Sequence, residues 1–268
     1  MKSPIKYFGG KGGMYNDIFP YFPDPDTYNT YIEPFGGSFA MGFQTPEDRI
    51  APIEMYNDLD NNVYALFSVL SDEEKFNEFK KLCDLSYYDE YLRNEYKAQL
   101  RNNKEMTDVE RAFKFFYVNR SSHNGIGGFS FQRIVRRNMS KNVSDYLSTV
   151  DRLSEIHQRL SKVTVMHRDG ISILEDFSSP NVFMYCDPPY VQHTRGNTRY
   201  DVDMDDDNQL RFIAACIRCK AKLLISGYEN ELYEKLTDNG FTMHQFEVNT
   251  TTGTHKPKTK VETLWKNY

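Results

Sequence analysis

The 268-residue chain predicts an α/β fold, a largely parallel sheet covered by helices, and three observations carry that prediction. Short apolar runs alternate with helical spacing at both ends of the chain, the rhythm that builds parallel sheets. The runs have strand length: TYIEPF, APIEMYNDLD, VTVMHRD, NVFMYCDPPY and KAKLLISGY. Each closes on acids, glycines or a ring, at Glu33-Pro34-Phe35-Gly36-Gly37, Asn57-Asp58, Asp169, Asp187-Pro188-Pro189-Tyr190 and Ser226-Gly227-Tyr228. In a parallel sheet such closures emerge at one rim, beyond the carboxyl ends of the strands, where ligands bind.

Taken in order, residues 1–70 give the strands TYIEPF and APIEMYN. The stretch NNVYALFSVL follows with helical spacing, and Asp60 is placed to cap it. Residues 71–142 change character and read as an inserted unit. SDEEKFNEFKKLCDL, DEYLRNEYKAQLRNN and VERAFKFFYVNR are amphipathic helices, the last with an aromatic run that belongs mostly to a core. A polar, glycine-rich loop, SSHNGIGGFSF, and the basic stretch RIVRRNMSK complete it. Residues 143–268 open with one helix, VSDYLSTVDRLSEIHQRLS, and return to the strand–turn–helix rhythm up to a terminal VETLWKNY. The predicted arrangement is therefore one α/β domain from 1–70 and 143–268, interrupted by a helical insert at 71–142.

Several function classes are excluded. No run of about 18 apolar residues is present to span a membrane, and the N-terminal MKSPIKYFGGKGG lacks the apolar core of a signal peptide. Four sparse cysteines fit a reducing, cytoplasmic setting. Cys216 and Cys219 form a CxxC without a second pair or a histidine cluster, so they read as helix-face thiols and no metal is expected. GGKGG lacks the P-loop pattern, and EPFGGSF is not GxGxxG, so neither a nucleotide triphosphate nor a dinucleotide is expected. The net charge of −5 does not by itself suggest a nucleic-acid partner.

The strand ends carry more specific chemistry. Gly36 and Gly37 let backbone approach a ligand closely. Asp58, about twenty residues on, suits a pair of ribose hydroxyls, and Asp169 suits an adenine amino group. A glycine turn with two acids and no phosphate cradle describes an adenosine pocket, which S-adenosylmethionine fits. In DPPY, the Asp187 carboxylate and the Pro188 carbonyl can accept the protons of an exocyclic amino group, held in place by the rigid Pro188-Pro189 pair. The Tyr190 ring offers a base a stacking face, worth about 1–3 kcal/mol. An aromatic amino group is a weak nucleophile because its lone pair is delocalised. Acceptors on its protons favour a pyramidal nitrogen and stabilise the charge that develops as a methyl group arrives.

KYFGGKGG, EPFGGSF, NDLD, DPPY and the closing ETLWKNY together resemble the Dam-type (D12 class) DNA adenine-N6 methyltransferases, in the family's order and near its spacings. The resemblance implies a class I, Rossmann-like methyltransferase fold with a helical DNA-recognition insert, and S-adenosylmethionine as methyl donor. It further implies that Tyr7 and Lys11 hold the methionine end of the cofactor and that the Glu33, Pro34, Phe35, Gly36, Gly37 turn lines its cleft. Asp58 would meet the ribose, Asp169 the adenine ring, and Asp187, Pro188, Pro189 and Tyr190 the target base, with Asp187 also bordering the cofactor. Double-stranded DNA is the implied partner, with no obligate protein partner evident.

The middle of the chain supports that partner. The resemblance places FFYVNRSSHNGIGGFSF at a helix end and loop that reach DNA, offering Asn119, Arg120, His123 and Asn124 to phosphates or base edges. From Arg120 to Arg168 nine Lys/Arg face three acids, a local excess of six positive charges in an acidic protein. Arg133, Arg136 and Arg137 lie in that stretch and are expected on phosphates. Past DPPY, QHTRGNTRY reads as a loop closing over a flipped base, with Arg195 and Arg199 reaching phosphates. The acidic run Asp201–Asp207 reads as a cap for the helix NQLRFIAACI rather than a metal patch. GATC is frequent in the family, but this chain runs from its loop into GGFSFQRIVRR where the family commonly has an asparagine- and proline-containing turn, so the target sequence stays open. Methylation of cytosine N4 uses the same geometry; the leading Asp of DPPY favours adenine. A DNA-binding protein without transfer activity is the third alternative, against which the intact DPPY, Lys11 and Asp58 argue.

Overall fold

The computed structural model describes residues 1–7, 9–45, 49–102, 105–190, 204–250 and 258–268. Arg195, Arg199 and the first part of the acidic run at 201–203 lie outside the described residues. In chain order the elements are α1 (Tyr15–Ile18), β1 (Thr30–Glu33), α2 (Ala40–Gln44), β2 (Ile53–Asn57), α3 (Asn61–Ser71), α4 (Glu73–Asp84), α5 (Glu90–Arg101) and α6 (Asp108–Ser121). They continue with β3 (Val135–Arg136), β4 (Met139–Ser140), α7 (Lys141–Val150), α8 (Leu153–Leu160), β5 (Thr164–Met166), α9 (Gly170–Asp176) and β6 (Val182–Cys186). Last come α10 (Asp206–Arg218), β7 (Lys222–Gly227), α11 (Glu234–Asp238), β8 (Thr242–Thr250) and β9 (Lys258–Lys266). They group into two compact units. One comprises Met1–Gly12, Gly37–Asp48 and Asn61–Val165; the other comprises Gly13–Gly36, Arg49–Asp60 and Met166–Tyr268.

The seven-stranded sheet has the order β5-β2-β1-β6-β7-β9-β8. β1 pairs in parallel with β2 and β6, and β6 with β7, whereas β9 runs antiparallel to both β7 and β8. The α/β expectation is met, with an antiparallel edge pair added. The central strands β1, β6 and β7 are buried on both faces, as parallel strands covered on both sides require. In β6, Val182, Met184 and Cys186 join Ile32, Ile225 and Phe212 in one core. On the alternate positions Phe183 meets Tyr31, Tyr28 and Phe22, with ring centroids 4.8–5.5 Å apart.

Cys216 lies in α10 and Cys219 is its C-cap residue; both are buried, and the Cys219 thiol donates to the Leu174 carbonyl at 3.4 Å. Asp205 caps the N-terminus of α10, accepting from the Asn208 amide at 2.8 Å, with Asp206 and Asp207 in the first turn. This is the role expected of the described part of the acidic run.

The helical unit is wider than residues 71–142. It takes in α2, α3, α7, α8 and the N-terminal segment. α4, α5 and α6 begin where Asp72, Asp89 and Thr107 accept from backbone amides, and Thr107 with Glu110 forms a reciprocal capping box. The aromatic run packs inward as expected: Phe116 meets Phe79 at 5.6 Å, and Tyr117 meets Tyr96 at 5.3 Å. The single helix expected from 143 onward is two, broken at Asp151-Arg152. Ser148 and Thr149 donate their hydroxyls to the carbonyls of Ser144 and Asp145, competing with the helical amides in the last turn of α7.

Candidate active site

In the sheet unit, the chain proceeds from β1 outward to β2 and β5, then returns to β6 on the other side of β1. The reversal lies between β1 and β6, the position where doubly wound sheets bind ligands. Glu33 ends β1 and Asp187 follows β6, so the two acidic closures flank that crevice.

The β1 turn is held from behind. Glu33 is 3% exposed and accepts from the Tyr31 hydroxyl at 2.9 Å. Burial, reinforced by the Glu33 charge, pushes the Tyr31 hydroxyl well above its usual range, so it stays a donor. The Gly36 amide donates to the Asn57 carbonyl at 2.8 Å. A Cβ on Gly36 would stand 2.2 Å from the Tyr56 ring, so no other residue fits. Phe35 packs edge-on against Phe212 at 5.5 Å.

Asn57 joins three loops. Its side-chain amide donates to the Pro34 carbonyl at 2.8 Å and to the Arg168 carbonyl at 2.9 Å, and its oxygen accepts from the Arg168 amide at 2.9 Å. The candidates Pro34, Asp58 and Asp169 are thereby set by one buried side chain. Asp58 is 8% exposed, its amide donates to the Met166 carbonyl at 3.4 Å, and its Oδ1 accepts from Asp60 at 2.8 Å. Asp169 is exposed and caps α9, accepting from the Ile171 amide at 3.2 Å, while its other oxygen stands 3.8 Å from Arg211. The turn-acid role is thus real, and one oxygen still faces outward toward a cation.

DPPY is fixed at three points. Ser226, at the end of β7, donates to Asp187 Oδ1 at 2.9 Å and accepts from the Tyr185 hydroxyl at 3.1 Å. Gln209 of α10, fully buried, donates to the Pro189 carbonyl at 2.6 Å and accepts from Tyr233 at 3.1 Å. The Tyr190 hydroxyl donates to Glu262 of β9, and its ring meets Tyr228 edge-on at 4.8 Å. Burial, followed by the Asp187 and Glu262 charges, holds the Tyr190 hydroxyl well above the usual tyrosine range. Pro188 is buried and its carbonyl accepts from no described residue. Ser226, Gln209, Glu262 and Asn57 are polar residues in or beside apolar runs. That mismatch is the signal by which the sequence could have revealed them.

In the helical unit, Lys11 is buried in a short 3₁₀ turn and donates to the Gly9 carbonyl at 3.1 Å. Gly37 has φ +47°, and the Tyr7 ring stands 2.8 Å from where its Cβ would be. One residue expected at DNA is turned inward instead. Asn119 is 4% exposed and its amide pairs with both backbone groups of Lys6, at 2.8 Å each. Arg120 is half-buried near Lys6, and desolvation, then the Arg152 charge, lowers it to about 10. Helix periodicity explains Asn119: Val109, Ala112, Phe116 and Asn119 share the buried face of α6. His123 and Asn124 are exposed on the loop that follows, whose Ser122 bridges to Phe129. Arg93 of α5, buried, supports this loop by donating to Ser122 Oγ at 3.0 Å and to the Gly127 carbonyl.

The basic stretch is not one face, since Arg159 is buried and donates to the Gly42 carbonyl at 3.0 Å. Its exposed part is the β3–β4 hairpin, turned by Arg137 and Asn138 at φ +53° and +58°, with Arg133 and Arg136 beside them. Arg136 pairs with Asp145 at 2.6 Å, and Arg137 donates to Ser148 Oγ at 2.8 Å.

Lys6 gives a pH prediction. Its ammonium donates to the carbonyls of Arg120 and Ser122 at 3.2 and 3.0 Å, and burial, then the Arg120 charge, lowers its pKa to about 8, with Asp145 opposing and Lys141 assisting. Between about 8 and the ordinary lysine value near 10.4, the unfolded chain holds a proton that the folded chain has released. Stability therefore gains from this group as pH rises through that window, and the gain is absent below it. Urea midpoints of wild type minus those of Lys6→Met are expected to increase from pH 7.5 to 9.5; a flat difference contradicts the assignment.

A doubly wound sheet whose switch point lies between an acid–glycine turn and a proline-stiffened acid turn is the plan of a class I methyltransferase fold. The model of the D12 class N6 adenine-specific DNA methyltransferases matches residues 7–252, and the chain belongs to that family. It is 23% identical to the type II methyltransferase M1.LlaDCHI of Lactococcus lactis subsp. cremoris, over 92% of this chain and 88% of that protein. It is 28% identical to the DNA N-6-adenine-methyltransferase of Escherichia phage P1, over 90% of this chain and 32% of that one. With the modification methylase StsI of Streptococcus sanguinis it shares 25% identity, over 71% of this chain and 29% of that enzyme. The chain thus spans most of the first relative and about a third of the other two. Among the described residues no helix is long and apolar enough to cross a membrane.

Proposed function

We propose that this adenine-specific DNA methyltransferase takes its methyl group from S-adenosylmethionine and transfers it to N6 of an adenine turned out of duplex DNA, with Asp187, Pro188, Pro189 and Tyr190 as the receiving site. The observation that carries the reading is the DPPY turn beside the switch point, with Asp187, Pro189 and Tyr190 each anchored by a hydrogen bond. The cofactor fits the residues present. Asp58 is a carboxylate at the end of β2, the type of group that two ribose hydroxyls need, and Gly36 brings backbone close where a side chain is excluded.

When bound, S-adenosylmethionine supplies an electrophilic methyl group. Asp187 and the Pro188 carbonyl would accept hydrogen bonds from the two amino N–H groups, which directs the nitrogen lone pair out of the ring plane and offsets its growing charge. Tyr190 stacks on the base, which offsets part of the unstacking energy that flipping requires. Glu33, Pro34, Phe35, Gly36, Gly37 and Asp169 complete the cofactor cleft in this reading, and Tyr7 and Lys11 enter it on the family resemblance alone. His123 and Asn124 of the loop and Arg133, Arg136 and Arg137 of the hairpin serve DNA. Arg120, Arg195 and Arg199 retain the DNA role the sequence suggests, while Asn119 acts as an internal support.

Incubation with tritiated S-adenosylmethionine and DNA of varied sequence is expected to label the DNA, and single-molecule sequencing of DNA from expressing cells identifies base and motif together. No label across varied DNA, or label on cytosine, refutes the reading. Replacing Arg133, Arg136 and Arg137 together by Ala is expected to weaken DNA binding to a similar extent across sequences. For each phosphate that the variant no longer neutralises, the salt dependence should flatten by about 0.9 in log–log slope. Fluorescence anisotropy at several salt concentrations measures this; an unchanged slope removes the hairpin from the DNA interface.

A further inference from the structure

The closing motif ETLWKNY takes part in no step so far, yet the topology carries its first residue to the catalytic rim. β9 is antiparallel to β7, and its Thr263 pairs with Gly227, the last residue of β7. Glu262 precedes Thr263 on this antiparallel strand and therefore lies just beyond the carboxyl end of β7, the end from which the β6–β7 rim loops emerge. Its carboxylate is 2% exposed and accepts the Tyr190 hydroxyl, 72 residues away in sequence. Lys260, two residues earlier on the same strand, places its ammonium 5.0 Å over the Tyr228 ring, which in turn meets the Tyr190 ring edge-on.

We propose that Glu262 is a positioning residue for methyl transfer: by accepting the Tyr190 hydroxyl it fixes the plane of the ring on which the target base stacks. The proposal rests on the reading of Tyr190 as that stacking face. A tyrosine side chain turns about two bonds, and packing against Tyr228 holds one edge of the ring. A buried carboxylate on the hydroxyl constrains the far end, so the ring is already in place when a base arrives. A buried carboxylate is costly unless hydrogen-bonded, so its presence opposite the DPPY ring calls for a role beyond filling space.

Single-turnover methyl transfer on DNA bearing the enzyme's own site, with cofactor affinity measured by calorimetry, tests this in Glu262→Leu, Glu262→Gln, Tyr190→Phe and the Leu/Phe double variant. Glu262→Leu and Tyr190→Phe are each expected to slow transfer by about tenfold or more, with cofactor affinity retained. The double variant should be no slower than the slower single, because both changes remove one hydrogen bond. Glu262→Gln, whose Oε1 still accepts, should recover most of the rate. Wild-type transfer by Glu262→Leu, or rate reductions that multiply in the double variant, overturns the proposal. Should Glu262→Leu fail to bind cofactor and thus to fold, Tyr190→Phe decides, since a wild-type rate there leaves Glu262 nothing to act through. Tyr190→Ala separates the two levels of the argument. If it transfers at the wild-type rate, the stacking reading itself fails; if it is inactive while Tyr190→Phe is fully active, only the role of Glu262 fails.

Discussion

Asp187→Ala is expected to reduce methyl transfer by at least about 10²–10³-fold while leaving cofactor affinity little changed, the largest effect of any single substitution in this chain. The carboxylate does not stand there by accident of the turn. Ser226 donates to its Oδ1, and Tyr185 donates to Ser226, so one oxygen is oriented through a two-bond relay across β6 and β7. Burial, with the Asp187 charge as the next cause, keeps the Tyr185 hydroxyl well above its usual range, so Tyr185 enters the relay as a donor. Removing the carboxylate removes an acceptor whose orientation is already set before substrate arrives, and preorganised groups of this kind carry large shares of a rate. Asp58→Ala should behave in the opposite way. Loss of a charged acceptor for hydroxyl groups should weaken cofactor binding by about 10–100-fold, with transfer at saturating cofactor largely retained. Calorimetry and tritium incorporation on both variants check the contrast; a reversed pattern would exchange the two pockets.

The parts of this site that depend on local sequence were legible. A strand ending in EPFGG, MYND, VMHRD, MYCDPPY or LISGY identifies itself by an apolar run and the residue that breaks it, and β1, β2, β5, β6 and β7 lie where those runs placed them. What was not legible depends on pairing over long separations. TMHQFEVNT, which forms β8, mixes polar and apolar residues without a glycine turn or acid closure that ties it to the rim. Only the antiparallel register between β7 and β9 brings Glu262 to Tyr190. Arg93 likewise sits among charged residues of an amphipathic helix, where nothing local distinguishes a solvated arginine from one buried under a loop. Asn119 is the instructive opposite. The family resemblance suggested DNA, but its spacing from Ala112 and Phe116 placed it on the buried face, and in this helix spacing was the better guide.

Asn57→Ala is expected to destabilise the protein by about 3 kcal/mol, the largest stability effect of a change at the rim. The side chain is fully buried and makes three hydrogen bonds, two donated and one accepted, to backbone groups of Pro34 and Arg168. Each bond contributes about 1 kcal/mol net, and truncation leaves two carbonyls and one amide without their partner, each at a further cost where water does not replace it. Against a typical stability of about 5–15 kcal/mol the loss is large but survivable, so the variant can be studied folded. Urea unfolding monitored by circular dichroism measures it. Asn57→Asp is a sharper probe than Ala, because it keeps the acceptor for the Arg168 amide while replacing the two donations with a charge that repels both carbonyls. It should be at least as destabilised as Ala. The same bonds fix the loops that carry Pro34, Asp58 and Asp169, so cofactor affinity should fall in both variants even at temperatures where they remain fully folded. If affinity stays at the wild-type value while the urea midpoint drops, Asn57 holds the sheet together without shaping the pocket. The three strand ends would then be neighbours in the fold rather than parts of one site.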